Sequence, residues 1–110
     1  SLEQAASGEG DNARFAGEVG LPLTRAIHAF GNGDYATVVR LIRPVRNIAH
    51  RFGGSHAQRD IIDLTLIEAA FRSGDGPLAK ALSAERLLAK PASPLAELFA
   101  RRAGLRKLAA

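Results

Sequence analysis

The chain of 110 residues contains no cysteine, no methionine and no tryptophan, and aromatic residues make up only 5% of it. Without cysteine there is neither a disulfide nor a thiolate for catalysis or metal binding, and this absence favours a cytoplasmic location. No apolar run approaches the roughly 20 residues that a membrane-spanning helix needs. Because the chain begins at Ser1 and lacks methionine, we expect a fragment of a longer protein, so the lack of a visible signal peptide carries little weight.

Charge is spread unevenly along the chain. Residues 1–20 carry four carboxylates against one arginine, a net charge of −3, and the remaining residues carry a net charge of +7. A basic body is typical of proteins that bind acidic peptides, nucleic acid or anionic lipid, although a solvated surface that keeps the protein soluble gives the same balance. Residues 1–20 lack a sustained apolar period, so we expect a flexible lead-in or the end of a preceding element.

Residues 61–71, with the sequence IIDLTLIEAAF, form the most apolar segment of the chain. Polar and apolar residues do not alternate here as in a half-exposed strand, whereas Leu64, Ile67 and Phe71 recur at helical spacing. A helix that is apolar nearly all round is buried on more than one side. Because Ser55 and Gln58 are spaced as a capping box, we expect this helix to span about residues 55–73.

Four further helices are predicted from the same periodicity. They span about residues 22–30, 35–52, 77–90 and 94–108, and the N-capping residues of the last three are Asp34, Asp75 or Gly76, and Ser93. Pro44 lies inside the second segment, but the apolar face continues beyond it, so we expect a kink and not a break. The predicted inner faces are Leu23, Ala26, Ile27 and Phe30; Val38, Leu41, Ile42, Val45, Ile48, Ala49 and Phe52; Leu78, Ala81, Leu82, Leu88 and Ala89; and Leu95, Leu98, Phe99, Arg102 and Leu105.

An internal repeat connects these helices. The segments 29–34 and 70–75 both read A-F-x-x-G-D, 41 residues apart, and each ends one predicted helix and begins the next. Two helix–turn–helix units of similar length are typical of a helical repeat array. The units resemble tetratricopeptide (TPR) repeats, in which a Gly-Asp-Tyr turn joins helix A to helix B. The residues that carry this resemblance are Gly33, Asp34 and Tyr35; Gly74 and Asp75; the small or apolar positions Ala26, Ala29, Val38, Ile67, Ala70 and Ala79; and the repeat-ending Pro91.

The chain also departs from the TPR pattern. The first unit is 41 residues long, against about 34 in the family. Pro44 lies within its second helix, and neither unit has the early tryptophan. These differences indicate degenerate repeats.

A longer stretch, about residues 22–100, resembles the C-terminal part of the tetratricopeptide repeat protein 38 family, above all in the runs GGSHAQRD at 53–60 and TLIEAA at 65–70. The resemblance implies an all-α fold of degenerate TPR-like repeats, with about five helices in a right-handed superhelical stack, and a role in binding. It implies one domain over residues 21–110. Repeat 1 would span about 22–52, repeat 2 about 55–91, and a capping helix about 94–108.

Basic side chains follow the second predicted helix on the side opposite its apolar face. This basic stripe consists of Arg40, Arg43, Arg46, His50 and Arg51. Arginine binds carboxylates and phosphates bidentately, so the stripe is a candidate site for an acidic protein or peptide. It lacks aromatic residues that could stack on bases, which argues against single-stranded nucleic acid. A solvated face gives the same pattern.

His56, Asp60 and Asp63 are spaced to share one helix face, which could hold a divalent metal or make His56 a general base. However, no second cluster of ligands accompanies them, and Arg59 offers Asp63 an ordinary ion-pair partner. We therefore expect no metal, cofactor or catalytic site. Instead we expect a polar network in which His56, Arg59 and Asp60 contact a neighbouring helix or protomer.

The sequence as a whole predicts a non-enzymatic scaffold that binds a peptide or a partner helix. The candidate partner-binding residues are Arg40, Arg43, Arg46, His50, Arg51, His56 and Arg59. Two alternatives stay open: a structural or oligomerisation module of a larger protein, without a ligand of its own, and a nucleic-acid-binding module suggested by charge alone. Since a continuous solenoid core needs about three repeats, we also expect either a preceding repeat array or self-association.

Overall fold

The computed structural model describes residues 20–51 and 56–105, and within these two ranges the chain forms helices and turns and no strand. Five α-helices follow one another, as the sequence predicts, and the all-α fold class is confirmed. The helices are α1, Leu21–Gly31; α2, Tyr35–Arg51; α3, His56–Arg72; α4, Gly76–Ala89; and α5, Pro94–Arg102.

The predicted N-caps are confirmed for three helices. The carboxylate of Asp34 accepts the backbone N–H of Thr37 at 3.3 Å at the start of α2. Asp75 accepts the N–H of Leu78 at 3.2 Å before α4, and the hydroxyl of Ser93 accepts the N–H of Ala96 at 3.2 Å before α5. Each contact satisfies one of the backbone donors that a helix start leaves without an intrahelical partner. The predicted capping box of α3 involves Ser55, which lies outside the described residues.

A proline inside α2 and a glycine after α5 bear on where these two helices end. Helix α2 continues through Pro44 to Arg51, so the proline does not end it, in agreement with the continuous apolar face. Helix α5 ends at Arg102, six residues before the predicted end, because Gly104 takes a left-handed φ of 75° that a helix cannot continue through. The predicted lead-in lies outside the described residues, apart from Gly20.

The two A-F-x-x-G-D segments form the same turn. In the first, Gly33 donates to the carbonyl of Phe30 at 3.1 Å, and Asp34 donates to that of Ala29 at 2.9 Å. The second repeats both hydrogen bonds 41 residues later, and its Gly74 has φ 81° where Gly33 has φ 76°. This pair of bonds is a Schellman motif, and in both turns the residue after the glycine caps the next helix.

The chain divides into two compact units, Ser1–Leu66 and Ile67–Ala110, and the division falls within α3. In the first unit α1 packs against α2 across the first turn, and in the second α4 packs against α5. The buried apolar side chains of the first unit are Ala26, Ala29, Val38, Ile42, Val45, Ile62 and Leu66. Those of the second unit are Ile67, Ala69, Ala70, Ala79, Leu82, Ala96, Phe99 and Ala100.

Burial corrects several predicted faces. For α4 the prediction is correct for Leu82, which is buried, and wrong for Ala81, Leu88 and Ala89, which are exposed; Leu88 is 85% exposed. The helix buries Ala79, Ser83 and Arg86 beside Leu82. In α5 the prediction is wrong for Leu95 and Leu98, which are exposed, because the alanines at 96 and 100 flank the buried Phe99. Ile27 of α1 and Ile61 of α3 are also exposed. In α1 the buried residues are the alanines 26 and 29, whereas α3 also buries the large side chains of Ile62, Leu66 and Ile67.

Candidate functional site

The outward face of α2 combines two exposed arginines with apolar side chains. Arg40 and Arg43 are exposed, as are Ala36 and Pro44, while Val39 is half-buried. Together these five residues line a shallow, open depression on the surface of the first unit. We call it the α2 face. A ligand here would meet two guanidinium groups beside an apolar floor, which suits a negatively charged partner that also carries an apolar side chain.

The position of the α2 face follows from helical geometry. Val38, Ile42 and Val45 recur at spacings of four and three, and all three are buried. Because each residue turns the helix by about 100°, this burial directs residues 36, 40, 43 and 47 to the opposite side. Pro44 lies inside α2 and has no backbone N–H to donate to the carbonyl of Arg40, and its exposed ring adds apolar surface beside the two arginines.

The start of the α2 face is organised around Thr37. Its hydroxyl donates to Asp34 Oδ2 at 2.6 Å, and Arg40 Nη2 donates to the same hydroxyl oxygen at 3.3 Å. These hydrogen bonds from Thr37, first from its hydroxyl and then from its N–H, lower the pKa of the Asp34 carboxyl, and the charge of Arg40 lowers it further. The carboxylate therefore stays ionised and partly offsets Arg40.

Among the described residues, Arg43 has no carboxylate near it comparable to Asp34 beside Arg40. Within residues 20–51 and 56–105, neither Arg40 nor Arg43 forms an ion pair with a carboxylate. Arg43 lies one turn further from Asp34 than Arg40 does. Its guanidinium is therefore the cation of the α2 face whose charge is least compensated by the described part of the chain.

Arg46 has a different environment from the other two arginines. Its Nε lies 3.3 Å from Oδ1 of Asp63 in α3, and the two side chains are only 20% and 21% exposed. Oδ1 accepts no hydrogen bond of good geometry within the described residues, so this contact is an ion pair rather than a hydrogen bond. The pair links α2 to α3 inside the first unit, and Arg46 therefore lies away from the exposed surface that Arg40 and Arg43 form.

The other predicted site residues lie around the gap between α2 and α3. His50 and Arg51 belong to α2 and His56 begins α3, but their side chains lie outside the described part. Arg59 and Asp60 are half-buried and both take part in polar interactions. Among the residues that the structure describes, no three His, Cys, Asp or Glu side chains cluster closely enough to hold a metal ion.

A second depression lies between α1 and α3 in the first unit. It is lined by Ile27, Phe30, Gly31 and Thr65 and has a volume of about 270 Å³. Ile27 is 62% exposed beside it, and its lining is mainly apolar. No charged side chain lines it, so the depression offers contact area without a group that would select a ligand by charge.

The apolar half of the α2 face was missed in the sequence, where only the cations were singled out. The signal was present, because one helix face is formed by Ala36, Arg40, Arg43 and Asn47, with Val39 and Pro44 beside them.

No helix in the described ranges is both long and apolar enough to cross a membrane. The chain matches no protein-family model, and no solved structure matches it significantly.

Proposed function

We propose that the chain is a non-enzymatic interaction module built from degenerate TPR-type repeats, which binds an acidic peptide or partner helix on the α2 face. The observation that carries the proposal is the exposed pair Arg40 and Arg43, which forms no ion pair with a carboxylate of the described residues and adjoins an apolar depression. Guanidinium groups bind carboxylates bidentately, and the apolar floor adds contact with a side chain between those carboxylates.

The TPR-type repeat and its superhelical stacking are part of this proposal. They are supported by the equivalence of the two turns, whose hydrogen bonds, left-handed glycines and capping aspartates correspond at an offset of 41 residues. Burial agrees as well: Ala26 and Ile67, Ala29 and Ala70, and Val38 and Ala79 are corresponding positions, and all six are buried. A repeat scaffold of this kind commonly serves binding.

The first experiment is a peptide-binding measurement on the whole chain. An array of acidic peptides, each with one aliphatic or aromatic anchor, is probed with the native protein and with a double variant, Arg40→Glu and Arg43→Glu. The matched control is Lys80→Glu with Lys90→Glu, which makes the same change of charge at exposed positions of the second unit. We expect binding by the native chain and the control, and its loss in the Arg40/Arg43 variant. Equal binding by all three would refute the assignment of the surface.

A structural or oligomerisation module is the second candidate, and exposed leucines favour it. Leu88, Leu95 and Leu98 are all exposed on the second unit, and Leu88 is 85% exposed. Sedimentation velocity of the native chain and a Leu88→Ser, Leu98→Ser variant tests this reading. A concentration-dependent dimer that the variant loses, together with an empty peptide array, would favour the module over the peptide scaffold.

Nucleic-acid binding is the third candidate and rests on net charge alone. The α2 face holds no aromatic ring on which a base could stack. Titration with labelled single- and double-stranded DNA and RNA distinguishes it from peptide binding. Affinity for nucleic acid that falls steeply with salt, and no bound peptide, would replace the scaffold proposal.

A further inference from the structure

The acidic residues of the N-terminal segment complement the α2 face in charge. Residues 1–19 carry a net charge of −3 within a chain whose remaining residues are net positive. Arg40 and Arg43 on the α2 face form no ion pair with a carboxylate of the described residues. A tethered segment of opposite charge is therefore the nearest chemical match for this surface in the same molecule.

The pattern of the segment also matches the surface. Asp11, Phe15 and Glu18 are spaced by four and three, so in helical register two carboxylates flank one aromatic ring. The α2 face has the reciprocal arrangement, with Arg40 and Arg43 three residues apart beside an apolar depression. Two carboxylates could meet two guanidinium groups while the ring of Phe15 covers the apolar floor.

The connection is short enough for this contact. Helix α1 packs against α2 and is joined to it by a turn of three residues, 32–34, so the two helices form an antiparallel pair. The start of α1 at Leu21 therefore lies beside the second half of α2, to which Arg43 and Pro44 belong. Residues 1–19 extend from this end, and about 3.3 Å per residue lets even half of them reach the α2 face.

We propose that residues 1–19 occupy the α2 face in the free chain and compete there with an external acidic ligand. The competition rests on the proposed function, whereas the contact itself does not. The short tether gives residues 1–19 an effective concentration of about 1 mM at the α2 face. If their intrinsic dissociation constant for that face is about 0.1 mM, they cover it most of the time. An external peptide would then bind about tenfold more weakly than to an uncovered surface.

The contact is tested by paramagnetic relaxation in the whole chain. Because the sequence has no cysteine, Ala13→Cys provides a single site for a spin label, on the side of a helix opposite Asp11, Phe15 and Glu18. We expect broadening of the amide signals of Ala36 and Arg40, relative to the same chain with the spin label reduced. The broadening should disappear in the Arg40→Glu, Arg43→Glu variant and persist in the Lys80→Glu, Lys90→Glu control.

A charge swap makes this test specific. Adding Asp11→Lys and Glu18→Lys to the Arg40→Glu, Arg43→Glu variant restores opposite charges, so the broadening should return. Broadening that is absent from the native chain, or that is the same in the native chain and the Arg40→Glu, Arg43→Glu variant, would overturn the inference. Circular dichroism of each variant checks that the helices are retained.

Competition is tested separately with a peptide that the array identifies. Its affinity is measured for the native chain and for a full-length variant with Glu3→Gln, Glu9→Gln, Asp11→Asn and Glu18→Gln. We expect about tenfold tighter binding to the neutralised chain. Peptide binding with no label contact and no gain on neutralisation would refute the inference and leave the proposed function intact. A charge-dependent label contact, with no peptide bound by any variant, would refute the proposed function and retain the contact.

Discussion

Arg102 holds Glu68 through two hydrogen bonds while it lies over the ring of Phe71. Its guanidinium donates to the two carboxylate oxygens at 2.8 and 3.1 Å, and its Cζ is 4.2 Å from the ring centroid. Glu68 and Phe71 are one turn apart on α3, and Arg102 is the last residue of α5. The contact therefore joins two helix ends of the second unit that are 34 residues apart in sequence. The rings of Phe71 and Phe99 are stacked beside it, with centroids 6.0 Å apart.

Replacing Arg102 by glutamine should destabilise the second unit. The change removes the bidentate contact and the cation over the ring, and because both side chains are partly exposed we expect a loss of about 1 kcal/mol in the free energy of unfolding. Urea unfolding followed by circular dichroism measures it. Arg101→Gln is the matched control, because Arg101 pairs with Glu97 inside α5, at 3.5 Å, and this contact joins no second helix. Its expected loss is about 0.3 kcal/mol, and equal losses in the two variants would contradict the role of Arg102.

The same contact predicts a pH dependence. The hydrogen bonds from Arg102, and more weakly those from Arg72, lower the pKa of Glu68 from its ordinary value of 4.5. The folded pKa is therefore below the unfolded one, so the unfolded chain takes up the proton first as the pH falls. The stabilisation is complete above pH 4.5 and is lost as the pH falls through the folded pKa. The difference in unfolding free energy between the native chain and Glu68→Gln should thus be constant near neutral pH and shrink in acid. A difference that grows in acid would exclude this linkage.

The two turn glycines should respond alike to alanine. Gly33 and Gly74 have φ values of 76° and 81°, and a Cβ at either would meet no atom within 4 Å, so the cost is backbone strain and not a clash. We expect each substitution to destabilise the chain by about 1 kcal/mol. Gly31, the last residue of α1, is the control with opposite sign, since it is helical and equally open, and alanine there should stabilise by about 0.5 kcal/mol. Thermal unfolding of the three variants checks both signs.

The helices were predictable because their ends carry strong local signals. Helices α2, α4 and α5 begin with N-caps formed by the side chains of Asp34, Asp75 and Ser93. Prolines stand in the first turns of α1, α4 and α5. The inner faces of α4 and α5 were only partly predictable from hydrophobicity: Leu82 and Phe99 are buried as predicted, but their buried neighbours are small residues that the apolar pattern did not indicate. Ser83 and Ala96 are fully buried whereas Leu88 is exposed, because small residues let helices approach closely and this depends on the neighbours rather than on the helix itself.

In the candidate site, too, some features could be predicted from the sequence and others could not. The direction of Arg40 and Arg43 follows from the apolar period of α2, so their exposure could be predicted. Arg46 follows Val45, at the edge of the buried face, and its pairing with Asp63 depends on where α3 lies. The apolar periodicity of α2 does not tell where α3 lies. For this reason the sequence alone predicts Arg46 as part of the exposed basic stripe.

Arg46 should contribute to stability through its ion pair with Asp63, whereas Arg43 should contribute to binding. We expect a double-mutant cycle of Arg46→Gln and Asp63→Asn to give a coupling free energy of about 0.5–1 kcal/mol, because the two side chains are mostly buried and in contact. Arg43→Gln, on the exposed surface, should change the free energy of unfolding by less than about 0.5 kcal/mol. Binding of an acidic peptide should show the opposite order, with a larger loss for Arg43→Gln than for Arg46→Gln at a temperature where both variants are folded. If Arg46→Gln instead leaves stability unchanged and abolishes peptide binding, the binding surface includes Arg46 and its contact with Asp63 is secondary.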